Sequence, residues 1–149
     1  PLTTRLLGVR GALVCSSLLV ALGYGLWLPF HESTTQALVN MAIAGLGSGA
    51  LVAALPAAAA AAAPPDRTGF ATGMTNATKT VGGAFASSVF AIALAATGSL
   101  EGPEAGHAPM SGYLTVWAVC AVAALLAAVA LLMLPRVRSD DPTVVPVPR

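Results

Sequence analysis

Four long apolar runs, separated by short segments rich in proline, glycine or charge, constrain this chain more than any other feature of its sequence. They cover about residues 11–28, 34–63, 68–97 and 113–134. A helix needs about 20 apolar residues to cross the hydrocarbon core of a bilayer, and each run is close to that length or longer. Only 9% of the residues are charged, which is too few to cover a soluble domain, so much of the exterior must face lipid. The sequence therefore predicts an all-α integral membrane protein with four transmembrane helices.

The second run contains proline and glycine at positions that affect helix geometry. A helix of about thirty residues is about 45 Å long, so it must tilt, bend or extend beyond the bilayer. Pro56 is the expected bend, because it has no N–H to donate to the carbonyl of Val52. Gly45 and Gly49 form a G-x-x-x-G pair, which is typical of close helix packing and, in a transporter, of a helix that gates. We expect a four-span part over residues 1–135, followed by a disordered cytoplasmic tail over 136–149.

The basic residues predict how the spans are oriented. Two precede the first run, one lies in the second connection and three follow the last run, whereas the first and third connections contain none. The positive-inside rule then places both termini in the cytoplasm, with Arg67 in a cytoplasmic loop. Trp27, Tyr113 and Trp117 lie near the opposite, outward ends, where interfacial aromatic residues are expected. We expect the chain in a cell membrane, that of a bacterium. These six of the seven basic residues are Arg5, Arg10, Arg67, Arg136, Arg138 and Arg149.

The third run carries a polar stripe within an otherwise apolar helix. Its polar residues fall within an arc of about 100°, which Gly83 and Ala86 extend. A charged side chain cannot cheaply face acyl chains, so the stripe should face a water-filled cavity or other helices. Two interpretations remain open for Lys79, namely a functional residue of a pathway or a residue that snorkels or holds a neighbouring helix. The stripe is Thr68, Thr72, Thr75, Asn76 and Lys79, and the last four are the substrate-pathway candidates.

Signatures of other function classes are weak or missing. The sequence has no catalytic set that reaches the membrane plane and no convincing metal-ligand spacing, so we predict a protein that is not an enzyme and has no metal or cofactor. A formal charge of +1 and 5% aromatic residues argue against nucleic acid as a partner. All six Asp and Glu residues lie outside the apolar runs. If the protein is proton-coupled, the titratable carboxylate is therefore not on this chain.

One segment of the chain resembles a known family. PPDRTGFATGMTNATKTVGGAFASSV is similar to the P-x-R-x-G-x-A-[ST]-G-x-x-N-x-[ATS]-[RK]-x-x-G-G segment in the penultimate helix of drug:proton antiporters of the major facilitator superfamily. The resemblance is greatest to the fourteen-span multidrug-efflux branch. The preceding AGLGSGALVAALPAAAAAAAPP and RLLGVRGAL look like that branch's Gly-rich helix and its earlier basic loop. The resemblance thus covers nearly the whole chain, as the last four spans of a longer transporter.

The resemblance implies an alternating-access carrier that exports drugs or other hydrophobic or cationic molecules against proton entry. Its partners would be membrane lipid, the small-molecule substrate, protons and an amino-terminal half that holds most of the coupling acids. Lys79 stands where an arginine is more usual, so bidentate pairing is not implied. The alternative is a non-transporting four-helix membrane subunit or anchor that acts through helix packing. Asn76, Lys79, Gly82 and Gly83 match the family core, and Arg67 matches its loop arginine.

Overall fold

The computed structural model of the protein describes residues 2–97 and 109–133, and they form four long helices without a strand among them. The predicted tail, residues 136–149, and most of the third connection lie outside these residues. Each helix contains a stretch long and apolar enough to cross a membrane, which confirms the all-α, four-span prediction. The helices are α1 (Leu2–Gly25), α2 (Thr34–Ala62), α3 (Thr68–Thr97) and α4 (Met110–Met133), with a 3-10 turn at Pro65–Arg67 before α3.

Helix α1 differs from the predicted run 11–28 at both ends. It begins at Leu2, but Gly8 interrupts it with φ 69° and ψ 171°, a conformation that glycine adopts readily because it has no Cβ. The apolar span therefore begins at Gly8. The helix ends at Gly25, not at Leu28. After Leu26 the hydrogen bonds shorten to three residues, from the N–H of Trp27 to Tyr24 and from that of Leu28 to Gly25, and Pro29 keeps Leu28 out of the helical region.

Helix α2 begins at a capping box that the run boundaries alone did not reveal. The Oγ of Ser33 accepts a hydrogen bond from the backbone N–H of Gln36 at 3.2 Å, and the Oε1 of Gln36 accepts one from the N–H of Ser33 at 3.2 Å. Together they satisfy two otherwise unpaired donors at the helix start. The helix continues through Pro56 to Ala62, so the proline does not end it. Bending at Pro56 stays a prediction.

Helices α1 and α2 approach each other so closely that their backbones touch. A Cβ placed on Gly47 of α2 would lie 2.7 Å from the carbonyl oxygen of Ser16 and 2.8 Å from the backbone nitrogen of Val20. A Cβ on Gly23 of α1 would lie 2.7 Å from the Cα of Ala44. Real Cβ atoms do not tolerate such distances, so glycine is required at both positions. The two small residues are what allow α1 and α2 to pack.

Helices α1 and α4 run antiparallel and are joined at both ends. At one end the guanidinium of Arg10 donates to the carbonyl of Leu131 at 2.9 Å and also to the carbonyl of Leu132. A cation is favourable here because the last carbonyls of α4 have no partner within the helix and carry negative partial charge. At the other end the rings of Trp27 and Trp117 stack with their centroids 4.0 Å apart. Arg10 and the end of α4 thus lie at the same end of the bundle.

Three polar side chains are buried in this part of the molecule, those of Ser16, Ser17 and Asn40. Asn40 of α2 is 3% exposed, and its amide donates to the carbonyl of Phe30 at 2.8 Å, which ties the first connection to α2. Ser17 of α1 is 1% exposed, and its hydroxyl is the buried side-chain group without a hydrogen-bond partner among the described residues. Helices α1, α2 and α4 therefore form the packed part of the structure.

Candidate functional site

Helix α3 is the least covered of the four helices. No residue from Pro65 to Ala96 is buried, whereas 33% of the Gly8–Gly25 stretch of α1 is. It touches α2 and α4 along one face, where residues are half-buried at both ends of the helix, within 68–75 and 86–94. Between these ends, every residue from Asn76 to Phe85 is exposed. Nothing in the described part of the chain covers the middle of α3.

The hydroxyl groups of α3 are turned back onto their own helix. Each donates a hydrogen bond to a backbone carbonyl three or four residues earlier, at 2.9 to 3.4 Å. This pattern satisfies a hydroxyl without any outside partner. The oxygens can still accept a hydrogen bond, but the protons are already used. The residues concerned are Thr68, Thr72, Thr75, Thr78, Thr80, Ser87 and Ser88.

Of the four pathway candidates, Thr72 and Thr75 are therefore distinct from Asn76 and Lys79. Both threonines are half-buried on the face that meets the other helices, and their hydroxyl protons bond to Thr68 and Ala71. Asn76 and Lys79 are exposed. They are the described α3 residues whose side-chain polar groups have no hydrogen-bond or ionic partner within the described chain. Three residues apart, they lie about 60° from each other on one face.

Lys79 lies deep along the helix. It follows Arg67 by twelve residues, which is about 18 Å at 1.5 Å per residue and more than half the thickness of a hydrocarbon core of about 30 Å. Arg67 itself is exposed beside Asp66, with 3.6 Å between its Nε and the carboxylate. If that ion pair lies at the membrane boundary, snorkelling does not bring the ammonium of Lys79 back to it. Such a group needs water or a counter-charge around it.

The glycines singled out from the sequence lie in open surroundings. A Cβ added to Gly82 or Gly83 would meet nothing within 4 Å, and the same holds for Gly45 and Gly49 of α2. Gly23 and Gly47, by contrast, contact the neighbouring helix. Gly47 is not part of a G-x-x-x-G pair, so spacing within α2 does not identify it, and only the partner helix does. Gly83 lies one turn beyond Lys79 on the same face, so the surface there has no side chain.

An aromatic cluster lies where the segment after α1 meets the first turns of α4. Tyr113 lies beside Trp117, with 6.1 Å between the ring centroids, and Trp117 stacks on Trp27. The Nδ1 of His31 lies 3.0 Å from the carbonyl oxygen of Trp27. No group of three or more potential metal ligands occurs within residues 2–97 and 109–133. The cluster has the composition of a membrane-interface belt.

Comparison with known proteins identifies a family for the chain. The family model described as Major Facilitator Superfamily matches residues 1–149, that is, the whole chain. No curated protein and no solved structure matches it. The match extends over all four helices and includes the exposed middle of α3.

Proposed function

Because the chain belongs to the major facilitator superfamily, whose members are membrane transporters, we propose that it forms the carboxy-terminal four spans of a fourteen-span multidrug carrier. This carrier exports drugs and other hydrophobic or cationic small molecules by alternating access, against proton entry. The observation that supports the proposal is the unpartnered Asn76–Lys79 pair in the middle of α3. In a transporter such a pair can face a water-filled pathway, whereas on an isolated helix it would face lipid.

The two parts of the chain have different roles in this proposal. Helices α1, α2 and α4 move as one body, because backbone contact at Gly23 and Gly47 and the Arg10 hydrogen bonds hold them together. Helix α3 is held only at its ends and lines the pathway with its middle. The acids that carry protons belong to the amino-terminal half of the carrier, since the spans of this chain contain none.

We further propose that the protein lies in a bacterial plasma membrane with both termini in the cytoplasm. The distribution of basic residues supports this orientation. It is consistent with the contact between Arg10 and Leu131, which brings the basic residue before the first apolar run to the end of α4. The aromatic cluster at the other end then lies at the outer interface.

Expression of the complete gene that encodes this chain, in a bacterium lacking its own efflux pumps, tests the proposal. We expect extrusion of a fluorescent cationic dye, and we expect a protonophore to stop it. Asn76→Ala should slow extrusion at equal protein levels, whereas Thr78→Ala should not, because Thr78 faces away and its hydroxyl bonds to Met74. A wild-type protein that forms a stable oligomer and extrudes nothing would contradict the proposal and favour the subunit or anchor.

A further inference from the structure

We infer that Asn76 and Lys79 bind the carboxylate of an organic anion, so that amphipathic carboxylates are among the substrates of this carrier. The inference rests on the proposed transport function and specifies the substrate class at the same site. It is carried by three properties of the α3 face, namely its hydrogen-bond donors, its charge and its shape.

The first property is an excess of hydrogen-bond donors at one place. An ammonium group offers three donors and no acceptor, and an amide offers two donors. The neighbouring hydroxyls have already given their protons to the helix backbone, so Asn76 and Lys79 concentrate the free donors. Side chains three residues apart have Cβ atoms about 5–6 Å from each other. That spacing lets each side chain reach one oxygen of a single carboxylate.

The second property is uncompensated positive charge. Lys79 has no ionic partner in the described chain, and none of the six acidic residues of the sequence lies in an apolar run. A charge removed from bulk water is stabilised by an opposite charge with hydrogen bonds. A cationic substrate would be repelled at this position and has to bind elsewhere in the carrier. A carboxylate supplies the missing counter-charge.

The third property is the shape of the surface beyond Lys79. On the same face the next two positions are Gly83 and Ala86, and a Cβ on Gly83 would meet nothing within 4 Å. For about 10 Å along the helix this face therefore has no side chain larger than a methyl group. The hydrophobic body of an amphipathic anion can lie there while its carboxylate contacts Lys79. An aromatic monocarboxylate has the right size and polarity.

Lys79 is the sole lysine of the sequence, which makes a direct binding test possible. Membranes containing the complete gene product are treated with sulfo-N-hydroxysuccinimidyl acetate, a water-soluble reagent that acylates amines. The reaction is run once in the presence of benzoate and once in the presence of neutral benzamide. Acylated Lys79 resists trypsin, so peptide 68–136 replaces peptides 68–79 and 80–136 in the mass spectrum. We expect benzoate, but not benzamide, to slow acylation severalfold. As a control, the lysine of an Arg67→Lys variant should react at the same rate with either compound.

A transport assay on the same protein then separates the substrate from a protein carboxylate as the bound anion. It uses a fluorescent carboxylate dye and its neutral amide. We expect Lys79→Gln to slow export of the carboxylate by about tenfold or more, since a hydrogen bond to a charged group is worth about that much. Export of the amide should change little, and Lys79→Arg should restore export of the carboxylate.

Three outcomes would contradict part of the account. Equal acylation with benzoate and benzamide overturns the inference. Equal loss of both dyes in Lys79→Gln, with rescue of both by arginine, also overturns it, because the lysine then pairs with an acid of the protein. A wild-type protein that exports neither dye overturns the proposed function instead, and the acylation assay still decides whether the pair binds carboxylates.

Discussion

The packed part of the molecule and the middle of α3 use the same residue types in opposite ways. In α1 and α2, glycine allows two backbones to touch, and asparagine is buried with a partner. In the middle of α3, glycine lies in open surroundings, and asparagine is exposed without a partner. Residue type alone therefore does not distinguish structure from function in a membrane chain. The structure adds whether a side chain has a partner among the described residues.

The two glycine environments give the largest expected difference. Gly47→Leu should lower the free energy of unfolding by about 3 kcal/mol or more, because overpacking a tight contact forces the backbones apart. Titration of the purified protein with SDS in mixed micelles measures the loss. Gly83→Leu is the matched control, since its side chain enters open space. It should leave stability nearly unchanged and reduce transport. Equal stability of the two variants would contradict the backbone contact between α1 and α2.

The next prediction compares the loss of stability when Arg10, in the packed part, or Arg67, before α3, is replaced. Arg10→Ala removes two hydrogen bonds to the end of α4 and should lower the free energy of unfolding by about 2 kcal/mol, the range for hydrogen bonds from a charged donor. Arg67→Ala breaks only an exposed ion pair, with side chains 74% and 75% exposed, and should change stability by less than about 1 kcal/mol. The same SDS titration compares them. A larger loss for Arg67→Ala would show that the cap on α4 is unimportant.

Two asparagines then separate stability from transport. Asn40→Ala removes the hydrogen bond to Phe30 and should cost about 1 kcal/mol with transport intact in the protein that folds. Asn76→Ala should cost nothing measurable in stability and should slow transport. Thermal unfolding and dye extrusion are measured on the same preparations. If Asn76→Ala destabilises the protein as much as Asn40→Ala does, then Asn76 has a structural partner.

The smallest effect is expected at Ser17. Its hydroxyl is buried without a partner, and such a group carries a desolvation cost. Ser17→Ala should therefore raise the free energy of unfolding, by roughly 0.5 kcal/mol. Ser16→Ala is the control, because the hydroxyl of Ser16 donates to Ala12 at 2.8 Å and should give no gain. A loss of stability in Ser17→Ala would indicate a hydrogen-bond partner.

The number and type of the helices followed from the sequence, because a run of about 20 apolar residues in lipid has only the helix available to it. The S-x-x-Q spacing of Ser33 and Gln36 also predicts the capping box. The stripe of α3 was found by its spacing. The contacts of Gly47, Asn40 and Arg10 could not be predicted in this way. Each depends on a residue of another segment, and periodicity within one helix does not identify that residue.

The structure was also needed to divide the polar stripe into residues with and without a hydrogen-bond partner. From the sequence, Thr72, Thr75, Asn76 and Lys79 were equivalent members of one face. Hydrogen bonds from the hydroxyls to the helix backbone remove the two threonines as donors. They leave Asn76 and Lys79 as the pair that needs a partner from outside the described chain.

Thiol accessibility along the middle of α3 tests the central claim most directly, namely that one face of this segment lies in water within the membrane. Cys15 and Cys120 are first replaced by alanine, and single cysteines are placed at Asn76, Lys79 and Gly83 and, on the opposite face, at Ala77, Val81 and Phe85. A water-soluble methanethiosulfonate should modify the first three quickly and the last three slowly, because a thiol in lipid does not ionise. A lipid-soluble maleimide confirms that all six can react. Slow modification of the first three positions, or equal rates on both faces, would contradict the claim.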